Sequence, residues 1–176
     1  MKLLVTVFIY LFLFHFPVNE KITWQENRKL TWADFKAEQK PQNDFVASTS
    51  SGISFSYSFT FSEGKMQYET SVSSNFYPLE SWYNPKEVTP YILQHEQVHF
   101  DISELHARIL KKSIQAYSFS KNIKNEMNTL YNKTEISRRA MQDKFDAETN
   151  HSKNHEKEKQ WEAYVAQQLK AYEKWR

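Results

Sequence analysis

From Tyr91 to Arg176 the chain contains neither proline nor glycine. Proline lacks an N–H and has a fixed φ, and glycine has an unconstrained backbone, so these two residues interrupt regular structure most strongly. A half-chain without either reads as almost continuous helix. All five prolines, at 17, 41, 78, 85 and 90, and both glycines, Gly52 and Gly64, come before it. The chain is therefore expected to be strand-forming and irregular first, and helical afterwards.

The first half bears this out in its pattern. Ile53, Phe55, Tyr57, Phe59 and Phe61 alternate with Ser54, Ser56, Ser58 and Thr60, the period of a half-buried strand with one aromatic face. Ser62-Glu63-Gly64-Lys65 is a turn, with Gly64 free to take positive φ, and Met66, Tyr68, Thr70 and Val72 resume the period of two. The two runs form a β-hairpin. Lys21–Trp24 and Asp44–Thr49 are weaker strand candidates, and a short helix begins after Thr31, which has an acid at Asp34 to complete a capping box. Asn84-Pro85 and Thr89-Pro90 both carry the helix-start signature of a capping residue followed by proline. One helix is expected from about Pro90 to Tyr117, with a break at Ser118–Asn122. A second runs from about Ile123 to Thr149, with Ile123, Met127, Leu130, Thr134, Met141 and Phe145 at helical spacing. After a polar break at Asn150–Asn154, a third carries Trp161, Val165, Leu169, Tyr172 and Trp175. A small N-terminal antiparallel sheet followed by long antiparallel helices defines an α+β fold.

Leu3–Phe14 is apolar apart from Thr6 and follows Lys2. It falls short of the ~20 residues a bilayer span requires and fits the apolar core of a secretory signal. Residues 1–18 are therefore read as a signal peptide, with an uncleaved N-terminal anchor as the alternative, and 19–176 as one domain. The domain is expected to work outside the cytoplasm, secreted or periplasmic, with no stable membrane span in the mature chain. The formal charge is +2, and no basic block is present to track phosphates, so nucleic acid is not an expected partner. Cysteine is absent, which removes disulfides, thiolate metal sites and a cysteine nucleophile. Two glycines cannot build a phosphate-cradling loop. Any metal site must use His, Asp or Glu.

The first long helix contains Gln94-His95-Glu96-Gln97-Val98-His99. Shuffling this composition yields an H-E-x-x-H pattern roughly twice in a hundred trials. Residues i and i+4 share a helix face, so His95 and His99 can grip one ion. Glu96 is rotated by ~100° from His95, placed to act as general base on a metal-bound water and not as a ligand of the same kind. Zinc would supply Lewis acidity and lower the water pKa toward ~7.

A catalytic zinc needs a third protein ligand and leaves its fourth position to water. His106 lies on the same face as His99 but ~10 Å along the axis, too far to share the ion. It also misses the metzincin spacing, which falls on Leu105. If the first two helices form an antiparallel hairpin folded near residue 120, position 95 lies opposite about 145 and 99 opposite about 141. The facing segment is then Phe145-Asp146-Ala147-Glu148-Thr149-Asn150-His151. Asp146 is the first candidate for third ligand and His151 the second. Asp101 is a candidate to orient a ligand or Arg108, and Arg108 and His151 are candidate oxyanion donors.

Leu30-Thr31-Trp32-Ala33-Asp34-Phe35, the run Gln94–Ile102 with Glu104-Leu105 and Ala107-Arg108, the run Phe145–His151 and Trp161 together resemble a bacterial family, domain of unknown function 922, described as predicted secreted zinc-dependent proteases. The resemblance covers roughly residues 24–172. It implies a zincin-like fold, zincin roles for His95, Glu96 and His99, and a preference for Asp146 and His151 over Glu148. The family's later motif has glycine where this chain has Ser152, a departure that bears on the turn after His151. No substrate comes with the resemblance.

The resulting expectation is a secreted zinc-dependent hydrolase of the zincin-like kind, a peptidase acting on a protein or peptide, with the Ile53–Phe61 strand as a possible edge for an extended substrate. The residues also allow another class of protein: a non-enzymatic envelope or extracellular binding protein whose aromatic residues serve a partner and whose metal site is structural or vestigial. A structural site is closed by four protein ligands and has no use for Glu96.

Overall fold

The computed structural model describes residues 20–39 and 45–176. The expected signal segment 1–18 and part of the expected strand 44–49 lie outside these residues. Thr31 and Asp34 form the expected capping box around a single 3-10 turn, Trp32–Asp34. The aromatic-serine alternation folds as β3 (Ser51–Ser62), paired antiparallel with β4 (Lys65–Phe76). Ser62 lies opposite Lys65, so the turn is the two residues Glu63-Gly64, with φ of 50° and 77°. Both central residues at positive φ match the right-handed twist of a hairpin. The weaker candidates shrink to β1 (Ile22–Thr23), on the other edge of β4, and β2 (Ala47–Ser48), which pairs with β5 (Trp82–Tyr83) in a separate ribbon.

The helices fall close to their expected limits: α1 (Pro90–Ala116), α2 (Ile123–Thr149) and α3 (His155–Ala171). Thr89 caps α1 by accepting from the Ile92 N–H at 3.2 Å, and Pro90 occupies the first turn. Asn84-Pro85 does not start a helix. Its segment closes a turn in which Asn84 O accepts from the Glu87 and Val88 N–H groups. Pro90 holds the preceding Thr89 extended, at φ −131° and ψ 165°, so a turn begun at Pro85 cannot run on into α1. The fold is α+β: the small antiparallel sheets come first and three helices follow.

α1 is the common wall of three packed groups. Ala107, Leu110 and Ile114 meet Ile53 and Val72 of the hairpin and Ile123 and Met127 of α2. Val98 and Ile102 meet Phe145 of α2 and Trp161 and Val165 of α3. Phe100 meets Leu30, Phe35 and Phe76. The aromatic face of β3 is buried only at its base. Phe59 and Phe61, toward the hairpin turn, are exposed.

α2 ends in an uncommon way. Asn150, His151 and Ser152 all take left-handed backbone, at φ 50°, 49° and 65°. The turn is held by the His151 N–H to Asp146 O at 3.0 Å and the Asn154 N–H to Thr149 O at 2.7 Å. A residue with a Cβ is strained there by roughly 1–2 kcal/mol. This accounts for glycine being the residue expected where this chain has Ser152. Ser152→Gly should therefore raise stability by about 1 kcal/mol in urea unfolding, part of the relief being offset by glycine's greater freedom when unfolded.

Candidate metal centre

The i,i+4 spacing and the antiparallel helix hairpin converge as the sequence requires. His95 Nε2 and His99 Nε2 are 3.3 Å apart, and Asp146 Oδ1 lies 3.1 Å from each. The three ligand atoms all fall within 4.8 Å of one another, so His95, His99 and Asp146 form a group able to hold a metal ion. The cross-helix register is set by Phe145, fully buried, whose ring stacks on His95 at 4.4 Å and meets His99 edge-on at 5.1 Å. Gln142, one turn earlier, donates to His99 O at 3.1 Å and ties the two helices together.

Glu96 is 3 % exposed, and its Oε2 is buried without a hydrogen-bond partner. A buried carboxylate oxygen left unpaired is costly in an ordinary core. Glu96 is one of the residues lining a cleft of about 480 Å³, together with His95, His99 and Asp146. The other walls are Phe45–Thr49 and the 151–153 turn. His151 is half exposed, packs against Phe45 with the rings tilted and their centroids 4.7 Å apart, and has its Nδ1 3.7 Å from Asp146 Oδ1. It borders the cleft without joining the three-residue ligand group. Glu148 turns away and accepts from Trp161 Nε1 at 2.9 Å.

One site residue had no place in the sequence reading. Glu158 of α3 is fully buried, and both its oxygens lie 3.1 Å from His95 Nδ1. With Nδ1–H donated to Glu158, His95 Nε2 is the nitrogen turned toward His99 and Asp146. A carboxylate behind an imidazole fixes its tautomer and raises its basicity as a ligand. The signal was present in the sequence: Glu158 precedes Trp161 and Val165 at the 3- and 4-residue spacing of the apolar stripe, an acid on a buried face. It also lies in the first turns of α3, where the helix dipole favours negative charge.

Two other site candidates, Asp101 and Arg108, resolve differently. Asp101 orients neither a ligand histidine nor Arg108; it accepts from Trp24 Nε1 at 2.7 Å and Gln97 Nε2 at 2.8 Å. Arg108 is buried against Glu104, Leu169 O and Glu173, outside the cleft, so it is no oxyanion donor. His106 is buried, its Nδ1 2.9 Å from Ile102 O, as a structural histidine. The strand β3 does not line the cleft either; the strand that does is β2.

Burial alone would make His95 harder to protonate, but hydrogen bonds to Asp146 and Glu158 prevail and raise its pKa to about 9. Burial likewise opposes ionisation of Asp146, but the two imidazoles hold its carboxyl well below the usual range. For His95 the folded value lies above the ordinary 6.5, so its contribution to stability is complete below 6.5 and is lost as pH rises through 9. The chelator-treated protein should accordingly show a falling Tm between pH 6.5 and 9. Metal uptake in that window should release a proton, which pH-stat titration would register.

Residues 16–152 match the model of the family described as bacterial protein of unknown function (DUF922), and the chain belongs to that family. No curated protein and no solved structure matches it. The match ends before α3, so Glu158 comes from a helix outside the matched residues. Glu158→Gln, which keeps the shape but removes the charge behind His95, should weaken metal affinity about 10- to 100-fold in a chelator competition assay.

Proposed function

We propose that the protein is an extracytoplasmic zinc-dependent hydrolase that cleaves peptide bonds. The observation that carries this reading is the pairing, in one cleft, of a two-histidine, one-aspartate group with the buried, unpartnered carboxylate oxygen of Glu96. The donor set fits a borderline-soft divalent ion with nitrogen and oxygen ligands. The same donor types hold ferrous iron in oxygenases, but an additional carboxylate poised beside them is what a hydrolase needs.

When bound, zinc would polarise the scissile carbonyl and lower the pKa of a coordinated water toward ~7. His95 and His99 would hold it through Nε2, and Asp146 would complete the protein ligands. Glu158 holds His95 in the tautomer that leaves Nε2 free. Glu96 Oε2 accepts a proton from the attacking water as its oxygen adds to the carbonyl carbon. The same carboxyl then returns the proton to the leaving nitrogen as the C–N bond breaks. With Arg108 outside the cleft, His151 is the side chain assigned to stabilise the developing negative charge.

A binding protein with a structural site would need a fourth protein ligand. The nearest candidate, His151, is half exposed and stands apart from the ligand group, which favours an open position and hence the hydrolase.

The purified chain should hold one zinc per molecule by mass spectrometry. His95→Ala should lose the metal. Glu96→Gln should keep it and lose at least 100-fold in hydrolysis of a peptide mixture. Zinc-free wild type after metal loading, or a Glu96→Gln variant of unchanged activity, would refute the reading.

A further inference from the structure

We infer that the cleft receives its substrate as an extended polypeptide that adds to the free edge of β2, with the Ala47 N–H and C=O as the pairing groups. This rests on the peptidase reading above and specifies how its substrate lies. Val46 O accepts from the Asn84 N–H at 2.8 Å, and Ala47 and Ser48 lie opposite Tyr83 and Trp82. In an antiparallel pair, alternate residues direct their backbone groups to the partner strand and the residues between direct them away. Val46 and Ser48 therefore face β5, and Ala47 faces the opposite side. Among the described residues, β2 has no strand on that side.

That side is the cleft. The five consecutive residues Phe45–Thr49 all line it. A strand presented face-on would contribute alternate residues; one presented edge-on contributes successive ones. The strand is fixed to the catalytic helix at one end and to the turn at the other. Thr49 Oγ1 donates to Glu96 O at 3.3 Å, and Phe45 packs against the His151 ring. An unpaired edge is a template for any chain carrying alternating N–H and C=O groups. Laid along it beside Glu96 and His151, a polypeptide would have its carbonyls carried past the metal group. β3 is instead an ordinary packed sheet strand: the β3–β4 sheet meets α1 at Ile53 and Val72, and neither residue lines the cleft.

The test uses the zinc-loaded full chain and two probes. Acetohydroxamate reads the metal site alone. A tripeptide hydroxamate adds an extended backbone, and its counterparts N-methylated at successive peptide nitrogens remove single pairing groups. The tripeptide should bind at least tenfold more tightly than acetohydroxamate, and one N-methyl position should abolish about tenfold of that gain. Ala47→Pro removes an N–H that β5 does not use, so the tripeptide-to-acetohydroxamate affinity ratio should fall by a similar factor. Should that variant fail to fold, the N-methyl series on the wild-type chain decides. Acetohydroxamate binding with no N-methyl penalty would overturn the edge proposal alone. Failure of acetohydroxamate to bind would overturn the metal reading itself.

Discussion

The fold depends on α1 being enclosed on every side although it carries a long run of polar residues. His95, Glu96, Gln97, Ser103, Glu104, His106 and Arg108 are all buried within it. Burying so many polar groups is tolerable only if each finds a partner. Most do, and the partners come from every element around the helix. Gln97 accepts from the Leu30 N–H at 2.8 Å, Ser103 pairs with Ser51 at 2.8 Å, and Arg108 joins Glu104 to the last turn of α3. These polar links fix the rotation of α1 relative to the sheet, α2 and α3, something apolar contacts alone specify less sharply. Among the described residues, Glu96 Oε2 and the Tyr91 hydroxyl are the side-chain atoms of α1 buried without a partner, and of the two residues Glu96 is the one that lines the cleft.

What could be read from the sequence followed from local rules. The period-two aromatic run, the Glu63-Gly64 turn and the Thr89-Pro90 cap each state a local geometry, and each element formed where its residues placed it. The antiparallel hairpin of α1 and α2 was a matter of counting from the Ser118–Asn122 break, and the count put Asp146, with Glu148, level with His95; that Asp146 Oδ1 also reaches His99 is seen in the structure. Long-range partners of charged residues were not legible this way. Arg108 and Asp101 both follow the motif on α1, yet each is claimed by a different, non-local partner: the end of α3 for one, Trp24 for the other. Nothing in local spacing chooses between a cleft and those partners. The brevity of β2 hid it for a related reason, since two paired residues make no periodic signal.

Glu158 shows how a site can extend past the segment that defines a family. The histidines, Glu96 and Asp146 all lie within residues 16–152, whereas the carboxylate that grips His95 from behind lies in α3. Trp161 packs on Phe145 at 5.6 Å, and Phe145 in turn stacks on His95, so the apolar contacts that dock α3 also aim Glu158. The left-handed residues Asn150–Ser152 between α2 and α3 reverse the chain tightly enough to bring both about. Backbone strain at that turn and side-chain order at the histidines are thus linked through one short connection.

The charge balance of the centre gives the physical reason for a cation there. Three carboxylates surround two imidazoles: Glu96 and Glu158 are buried, and Asp146 lines the cleft. Unpaired negative charge in such a setting is strongly disfavoured. In the protein without metal, protonation of His95 offsets part of that charge, and its upward shift toward 9 is the expression of that demand. A divalent ion held by the two Nε2 atoms and Asp146 answers the same demand without a proton on either nitrogen. It would leave Glu158 hydrogen-bonded to Nδ1 and Glu96 still unpaired, facing the cleft that β2 borders. The group that remains unsatisfied after the ion is counted is the one the proposed hydrolysis requires as its base.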